Sequence, residues 1–268
     1  MGGLIVSEER VDSPYDQPEL YDRMLDDLDF DQAFWLRVAR EGEAAGRGPG
    51  ALLDVGCGTG RVLLRLLDAG IDADGLDASA PMLARARERA AARGFHPRLE
   101  LADMRDFTMP RRYARVICAF NAFAHCETVD DQLRALACMR RHLAPGGAAV
   151  VFMSFPAPRY WSEPDGEPVL EREITIPGSD HRLQMWDTRF KDPVLQLQRS
   201  RMEIRELDAT GAQIATHRAE ANQRWVYRWE MELLLRTAGF PRWEIQGGFE
   251  GGPLERPDQP MIAWGYAE

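Results

Sequence analysis

From residue 51 to residue 153, short apolar runs alternate with stretches of helical period, and nothing else in the chain constrains its fold as strongly. Residues 51–55 read as an apolar strand running into Gly56, Cys57, Gly58, Thr59 and Gly60, and residues 61–69 have helical apolar spacing. Further strands are predicted at 71–76, 98–101, 113–120 and 148–153, with helices at 81–93 and 129–143. Ser79 is placed to cap the first of these helices and Gly94 to end it, while Pro145, Gly146 and Gly147 close the second. Strands joined through helices in this way lie parallel with right-handed crossovers. The expected fold is a doubly wound, Rossmann-like α/β sheet.

After Ser154 the pattern changes. Strand-like runs at 173–176, 183–190, 195–207 and 213–220 are separated by turn residues at 177–180, 192–193 and 210–211, which predicts antiparallel hairpins. The α/β pattern resumes with a helix over 229–238, stopped by Gly239, and strands at 243–246 and 261–266. The small sheet is therefore an insertion, and insertions at the carboxyl ends of parallel strands are where such folds bind ligands. Ahead of the alternation, Asp22, Asp26, Asp27, Asp29 and Asp31 interleave with apolar residues at helical intervals, which predicts one or two amphipathic helices broken by Gly46 to Gly50.

Asp and Glu outnumber Lys and Arg by 43 to 33, a formal net charge of −10. A nucleic-acid partner needs a basic footprint, so none is expected. Lys191 is the only lysine, and the remaining cations are arginines, whose planar fork can grip a carboxylate in two places. Cys57, Cys118, Cys126 and Cys138 include no CxxC pair and no zinc-ligand spacing, and read as buried free thiols. No apolar run is long enough to span a bilayer, and Glu8 and Glu9 stand where a signal peptide would carry Lys or Arg. A cytoplasmic location without a membrane partner is expected, and the oligomeric state is left open.

The chemistry sits in the glycine-rich turn. A strand ending in Asp54 and turning through Gly56, Gly58 and Gly60 lets the backbone approach a ligand closely. The dinucleotide fingerprint wants its third glycine where this chain has Arg61, and no phosphate-binding GxxxxGK[ST] loop is present. A nucleoside-like ligand without a pyrophosphate fits best. Asp77 ends the next strand, at the position where an acid in these folds accepts ribose hydroxyls, and Asp103 follows the third strand.

Four motifs in order, LLDVGCGTG at 52–60, GLDASAPML at 75–83, LADM at 101–104 and LAPGG at 143–147, resemble those of class I S-adenosylmethionine-dependent methyltransferases. The resemblance implies a helical cap over 1–48, a cofactor-binding α/β domain over 49–155 and 226–268, and an antiparallel lid over 156–225. It implies S-adenosylmethionine as cofactor. Gly56 and Gly58 would lie against its methionine and ribose portions, with Asp54 orienting the turn or holding the amino group. Asp77 would take the ribose hydroxyls, Ala78 and Met82 would pack on the adenine, and Asp103, between Ala102 and Met104, would accept from the exocyclic amine. Phe120 would line the sulfonium side, and Tyr15, Tyr21 and Arg23 would reach the cofactor's carboxylate.

Methyl transfer is an in-line displacement that depends mainly on holding the acceptor atom against the methyl group. A neutral amine needs little more, whereas a hydroxyl needs a base, and His125 is the histidine nominated for that role. Carboxylates do not cluster in its loop, so no metal is expected. His181 and His217, in the insertion, are assigned to the surface or to pairing. Asn121, Tyr160, Trp161, Trp186, Arg201, Arg224 and Tyr227 are the candidates for holding a small-molecule acceptor, aromatic or carboxylate-bearing, under the lid. Two rival readings remain at this point: a nicotinamide-dependent oxidoreductase, and a non-catalytic binding protein whose lid aromatics fill the acceptor pocket.

Overall fold

The computed structural model describes residues 13–44, 51–154 and 158–268. Glu8, Glu9, the glycine run at 46–50 and the domain boundaries at 48 and 155 lie outside the described residues. A 3-10 turn at Pro14–Asp16 precedes α1 (Pro18–Leu25) and α2 (Gln32–Ala44). The predicted alternation then folds as β1 (Leu52–Val55), α3 (Arg61–Asp68), β2 (Ala73–Asp77), α4 (Ala80–Ala92), β3 (Leu99–Leu101), β4 (Tyr113–Cys118), α5 (Val129–Arg141) and β5 (Leu143–Met153). Residues 158–268 supply α6 (Pro158–Ser162), β6 (Pro168–Thr175), β7 (Arg182–Asp192), β8 (Leu197–Leu207), β9 (Gln213–Arg224), α7 (Arg228–Thr237), β10 (Arg242–Gly247) and β11 (Met261–Tyr266).

β1 and β4 are buried along their whole lengths, as central strands covered on both faces must be. The main sheet runs β10-β11-β5-β4-β1-β2-β3. Alternate residues of each strand feed two cores. Leu53, Val55, Val116, Cys118 and Val151 face Leu136 and Met139 of α5 and Met231 and Leu234 of α7. Leu52, Ile117 and Val150 face Trp35 and Val38 of α2, Leu63 of α3 and Ala86 of α4. All four cysteines are buried and unpaired.

Two details depart from the sequence-based expectation. β11 pairs antiparallel with both β5 and β10, so the sheet is mixed, because the connection between β10 and β11 holds no helix to carry a crossover. Pro145, Gly146 and Gly147 lie inside β5 rather than before it. A Cβ on Gly147 would come within 2.9 Å of the Ala144 carbonyl and 3.0 Å of that of Tyr113, so only glycine lets the bulged β4–β5 pair close.

The lid is a meander, β6-β7-β8-β9, antiparallel throughout. The cap is fastened by arginines. Arg61 pairs with fully buried Asp31 through two bonds of 2.7 Å, and Asp31 also accepts from the Trp35 indole. Arg85 and Arg89 of α4 reach Asp22, and Arg89 reaches Asp26. Arg61 thus stands at the third-glycine position of the dinucleotide fingerprint because it anchors the cap, and its guanidinium lies 4.8 Å from the Phe120 ring centroid.

Candidate functional site

The order of strands reverses at β1, with β2 on one side and β4 on the other, and a crevice opens above their carboxyl ends. There a cavity of about 820 Å³ is floored by the turns after β1 to β4, walled by the Pro14–Asp16 turn and α1, and roofed by the lid. Tyr15, Tyr21, Gly56, Gly58, Asp77, Ala78, Met82, Ala102, Asp103, Met104, Phe120, Asn121 and His125 all line it.

The glycine turn is shaped for two reasons. Gly56 (φ +75°) and Gly58 (φ +56°) are both left-handed, a conformation glycine adopts without steric cost. A Cβ on Gly56 would lie 2.7 Å from that of Ala122, whereas one on Gly58 would meet nothing within 4 Å. Gly56 therefore lets the loop after β4 pack down, and Gly58 leaves backbone exposed to the cavity. Asp77 holds this arrangement by accepting from the backbone N–H groups of Gly58 and Ser79, both at 2.8 Å. Burial raises its pKa, opposed by those two bonds. Its remaining lone pairs are the natural acceptors for a vicinal diol.

Asp54 is buried below the turn, and its Oδ1 has no hydrogen-bond partner. Burial pushes its carboxyl up to about 7. Asp103 lines the cavity at the end of β3, but both its oxygens are gripped by Arg105, which also reaches Asp131. That grip holds the Asp103 carboxyl below its ordinary value.

Phe120 (φ +49°) and Asn121 (φ +61°) are consecutive non-glycine residues in the left-handed region, costing about 1–3 kcal/mol each. The strain is held by Asn121, whose side chain donates to Ser154 Oγ at 2.9 Å and accepts from Ser154 N at 2.6 Å, joining the ends of β4 and β5. It turns the chain so that His125 faces Tyr15 at 2.6 Å between Nε2 and the phenol oxygen. On its other side His125 Nδ1 lies 3.0 Å from the Asn222 carbonyl of β9. A carbonyl only accepts, so Nδ1 carries the hydrogen and Nε2 accepts from the Tyr15 hydroxyl. Burial lowers the His125 pKa, which keeps the ring neutral. The Tyr15 phenol is pushed well above its usual value by burial, and Tyr21 to about 12 for the same reason.

Several expected site residues lie elsewhere. Arg23 is exposed on α1 and does not reach the cavity. Trp186 packs under Arg205, and Arg201 stacks on Phe190 and pairs with Glu220. Arg224 is buried against Gln132 and Glu230. Tyr160 and Trp161 pack edge-on against Trp225, and Tyr227 caps α7. None of these seven expected residues lines the cavity. The roof is instead Met185, Asp187 and Arg189 of β7, Gln198, Ser200, Met202 and Ile204 of β8, and His217, Ala219, Ala221 and Gln223 of β9. Trp186 and Arg201 are one residue out of phase, which in a strand means the opposite face. His217 lines the site, while His181 pairs with Glu206 as expected. Because the lid aromatics lie outside it, they do not fill the cavity.

The floor suits S-adenosylmethionine on three observations: the open approach at Gly58, the diol-accepting position of Asp77, and the flat apolar walls of Met82, Ala102 and Met104. Comparison with known proteins agrees. The methyltransferase domain family matches residues 52–147. The chain is similar to a dTDP-3-amino-3,6-dideoxy-alpha-D-glucopyranose N,N-dimethyltransferase of Streptomyces fradiae, 29% identical over 76% of this chain and 75% of that one. It is 37% identical to a dTDP-3-amino-3,4,6-trideoxy-alpha-D-glucopyranose N,N-dimethyltransferase of Streptomyces venezuelae over 38% of this chain, spanning only 41% of that relative's length. A solved amino pentose methyltransferase from Micromonospora echinaspora, with S-adenosylmethionine bound, superposes with a TM-score of 0.64 at 25% identity, covering 87% of this chain and 90% of that one.

Proposed function

We propose that this chain is a class I S-adenosylmethionine-dependent methyltransferase and that it methylates the nitrogen of a small amine, an amino sugar being the acceptor class its relatives suggest. S-adenosylmethionine supplies a methyl group activated by its sulfonium. On this reading Gly56, Gly58, Asp77, Ala78, Met82, Ala102, Asp103, Met104 and Phe120 hold the cofactor, with Asp54 supporting the turn from below and Tyr15 and Tyr21 closing its outer side.

The observation that carries the choice of nitrogen is the state of His125. It is neutral, and its Nδ1–H is backed by a backbone carbonyl rather than by a carboxylate. Such an imidazole is a modest base. Once the Tyr15 hydroxyl turns away from Nε2 it can take the proton of an ammonium group, but it lacks the charged partner that would help it ionise a hydroxyl. The volume of the cavity also suits a small molecule, since sites of roughly 300–1,000 Å³ bury ligands of that size. The net charge of −10 supports the absence of a nucleic-acid partner. Buried free thiols support a cytoplasmic location, and among the described residues no helix is long and apolar enough to cross a membrane.

The test is formation of S-adenosylhomocysteine from 3-amino-3,6-dideoxyglucose and its dTDP ester. Asp77→Ala is expected to weaken S-adenosylhomocysteine at least tenfold by calorimetry. His125→Gln is expected to lower kcat by ~10²-fold, the low end of general-base effects, with cofactor affinity held within about twofold. Because the His125 pKa is lowered, the neutral base persists below the usual histidine range, and the acid limb attributable to it in kcat must fall below pH ~6.5. A His125→Gln enzyme with unchanged kcat would remove the proton-transfer role.

A further inference from the structure

The roof of the cavity is graded along its strands. Arg189 pairs with Ser200 and Ser200 with Ala221; two residues on, Asp187 pairs with Met202 and Met202 with Ala219; two further, Met185 pairs with Ile204 and Ile204 with His217. Gln198, Ser200 and Gln223 line the end next to Asn222, whose carbonyl faces His125, so the polar end of the roof stands by the proposed base. The far end is apolar, lined by Met185, Met202, Ile204 and Ala219. Arg172, paired in register with Met185, reaches Asp27 just beyond α1, so this end stands near the close of α1, where Leu25 lines the same cavity.

Met185, Met202 and Ile204 are half-buried and belong to neither of the two cores. They line the cavity with apolar surface that the fold itself does not cover, and a ligand that covers it removes that surface from water. Two methionines among them adapt to apolar groups of varied shape. On β9 the lining runs from His217 to Gln223, about 20 Å at ~3.4 Å per residue, which is more length than one sugar ring fills.

The cations around the cavity oppose a phosphate as the second part of the acceptor. Among the described residues, each guanidinium that lines it is already held by carboxylates: Arg105 by Asp103 and Asp131, Arg189 by Glu163, Glu171 and Asp187, and Arg218 by Glu203. A diphosphate would have to displace those carboxylates to obtain the bidentate contacts it prefers.

We propose that the acceptor is an amino sugar already joined to an apolar group, with the sugar under the polar end of the roof beside His125 and the apolar group against Met185, Met202 and Ile204. This rests on the amino-sugar reading above and narrows it from a free or nucleotide-linked sugar to an apolar glycoside. The apolar end lies away from His125, so it contributes to acceptor affinity and not to proton transfer.

The experiment is calorimetric titration of the S-adenosylhomocysteine-loaded protein with free 3-amino-3,6-dideoxyglucose, its hexyl glycoside and its dTDP ester. Wild type is expected to bind the hexyl glycoside about tenfold more tightly than the free sugar, equivalent to ~1.4 kcal/mol, and more tightly than the ester. Met202→Gln, similar in length and only half-buried, is expected to bring the ratio of hexyl-glycoside to free-sugar affinity down to about threefold or less. Met185→Gln serves where Met202→Gln folds poorly. The ratio is taken within each protein, so a general loss of folded material cancels. A wild-type ratio near one, a ratio that neither variant lowers, or a tenfold preference for the ester over the hexyl glycoside would overturn the apolar subsite while leaving sugar N-methylation standing. Binding of none of the three by a protein that binds S-adenosylhomocysteine overturns both.

Discussion

Asp54 shows how a single residue can set a pH dependence for the whole chain. Its carboxyl is buried without a partner for Oδ1, and its folded pKa of about 7 stands above the ordinary 3.8. Between those values the folded protein holds a proton that the unfolded chain has lost. Stability contributed by the protonated form is therefore complete below pH ~4 and is lost as pH rises toward 7. Asp54→Asn removes this penalty. Its unfolding free energy relative to wild type is expected to rise between pH 5 and pH 8 by roughly 2–3 kcal/mol, at about 1.4 kcal/mol per pKa unit, measured by urea unfolding at both pH values. Asp54, Asp77 and Gly58 were all legible because a strand end, a glycine and an acid at fixed spacing admit few other arrangements. The Tyr15–His125 contact was not, since it joins residues 110 apart that nothing local pairs. Arg61 was read only as a missing glycine, although its neighbour in space, Asp31, is the reason it is there.

At the scale of the element, the lid turns on phase. Its strands put Met185, Met202, Ile204, Ala219 and Ala221 on the cavity side, while Arg201, Arg205, Glu203 and Glu220 form an ion-pair ladder on the other. Trp186 and Arg201, aromatic and basic, fall on that outer face, whereas Met185, Met202, Ile204, Ala219 and Ala221 at every second position mark the inner one. The consequence is a sharp contrast between neighbours. Ala221→Phe, pointing inward, is expected to raise the acceptor KM at least tenfold with cofactor affinity unchanged. Arg201→Ala, one strand away and outward, is expected to stay within about twofold of wild type in every constant, since exposed ion pairs contribute little. Steady-state kinetics on the two variants decides the phase; equal effects would contradict it. The mixed sheet was less legible, because strand direction at β11 depends on a helix-free connection whose geometry no local signal specifies.

Across the whole molecule, charge is organised by pairing. The acids of the cap bind arginines: Asp22 with Arg85 and Arg89, Asp31 with Arg61, and Asp27 with Arg172 of the lid. A surface with one lysine and many arginines suits this arrangement. The Asp31–Arg61 pair is buried, 0% and 7% exposed, so Asp31→Ala leaves a guanidinium without its counter-ion. A loss of about 3–5 kcal/mol in unfolding free energy is expected, read from the denaturant midpoint at constant slope.

The Tyr15–His125–Asn222 chain joins cap, sheet and lid, and every group in it is uncharged. Two neutral hydrogen bonds across this junction contribute a net ~1–3 kcal/mol. Ionic strength has no purchase on these two bonds, and the Arg172–Asp27 pair that also joins cap to lid leaves Asp27 66% exposed and so contributes little. If parting of this chain governs product escape, kcat stays constant within about twofold between ~0.01 and 1 M salt, although the screening length falls from ~30 to ~3 Å over that range. An enzyme fastened by its many ion pairs would quicken with salt; one fastened by a phenol, an imidazole and a peptide carbonyl keeps its pace from dilute buffer to brine.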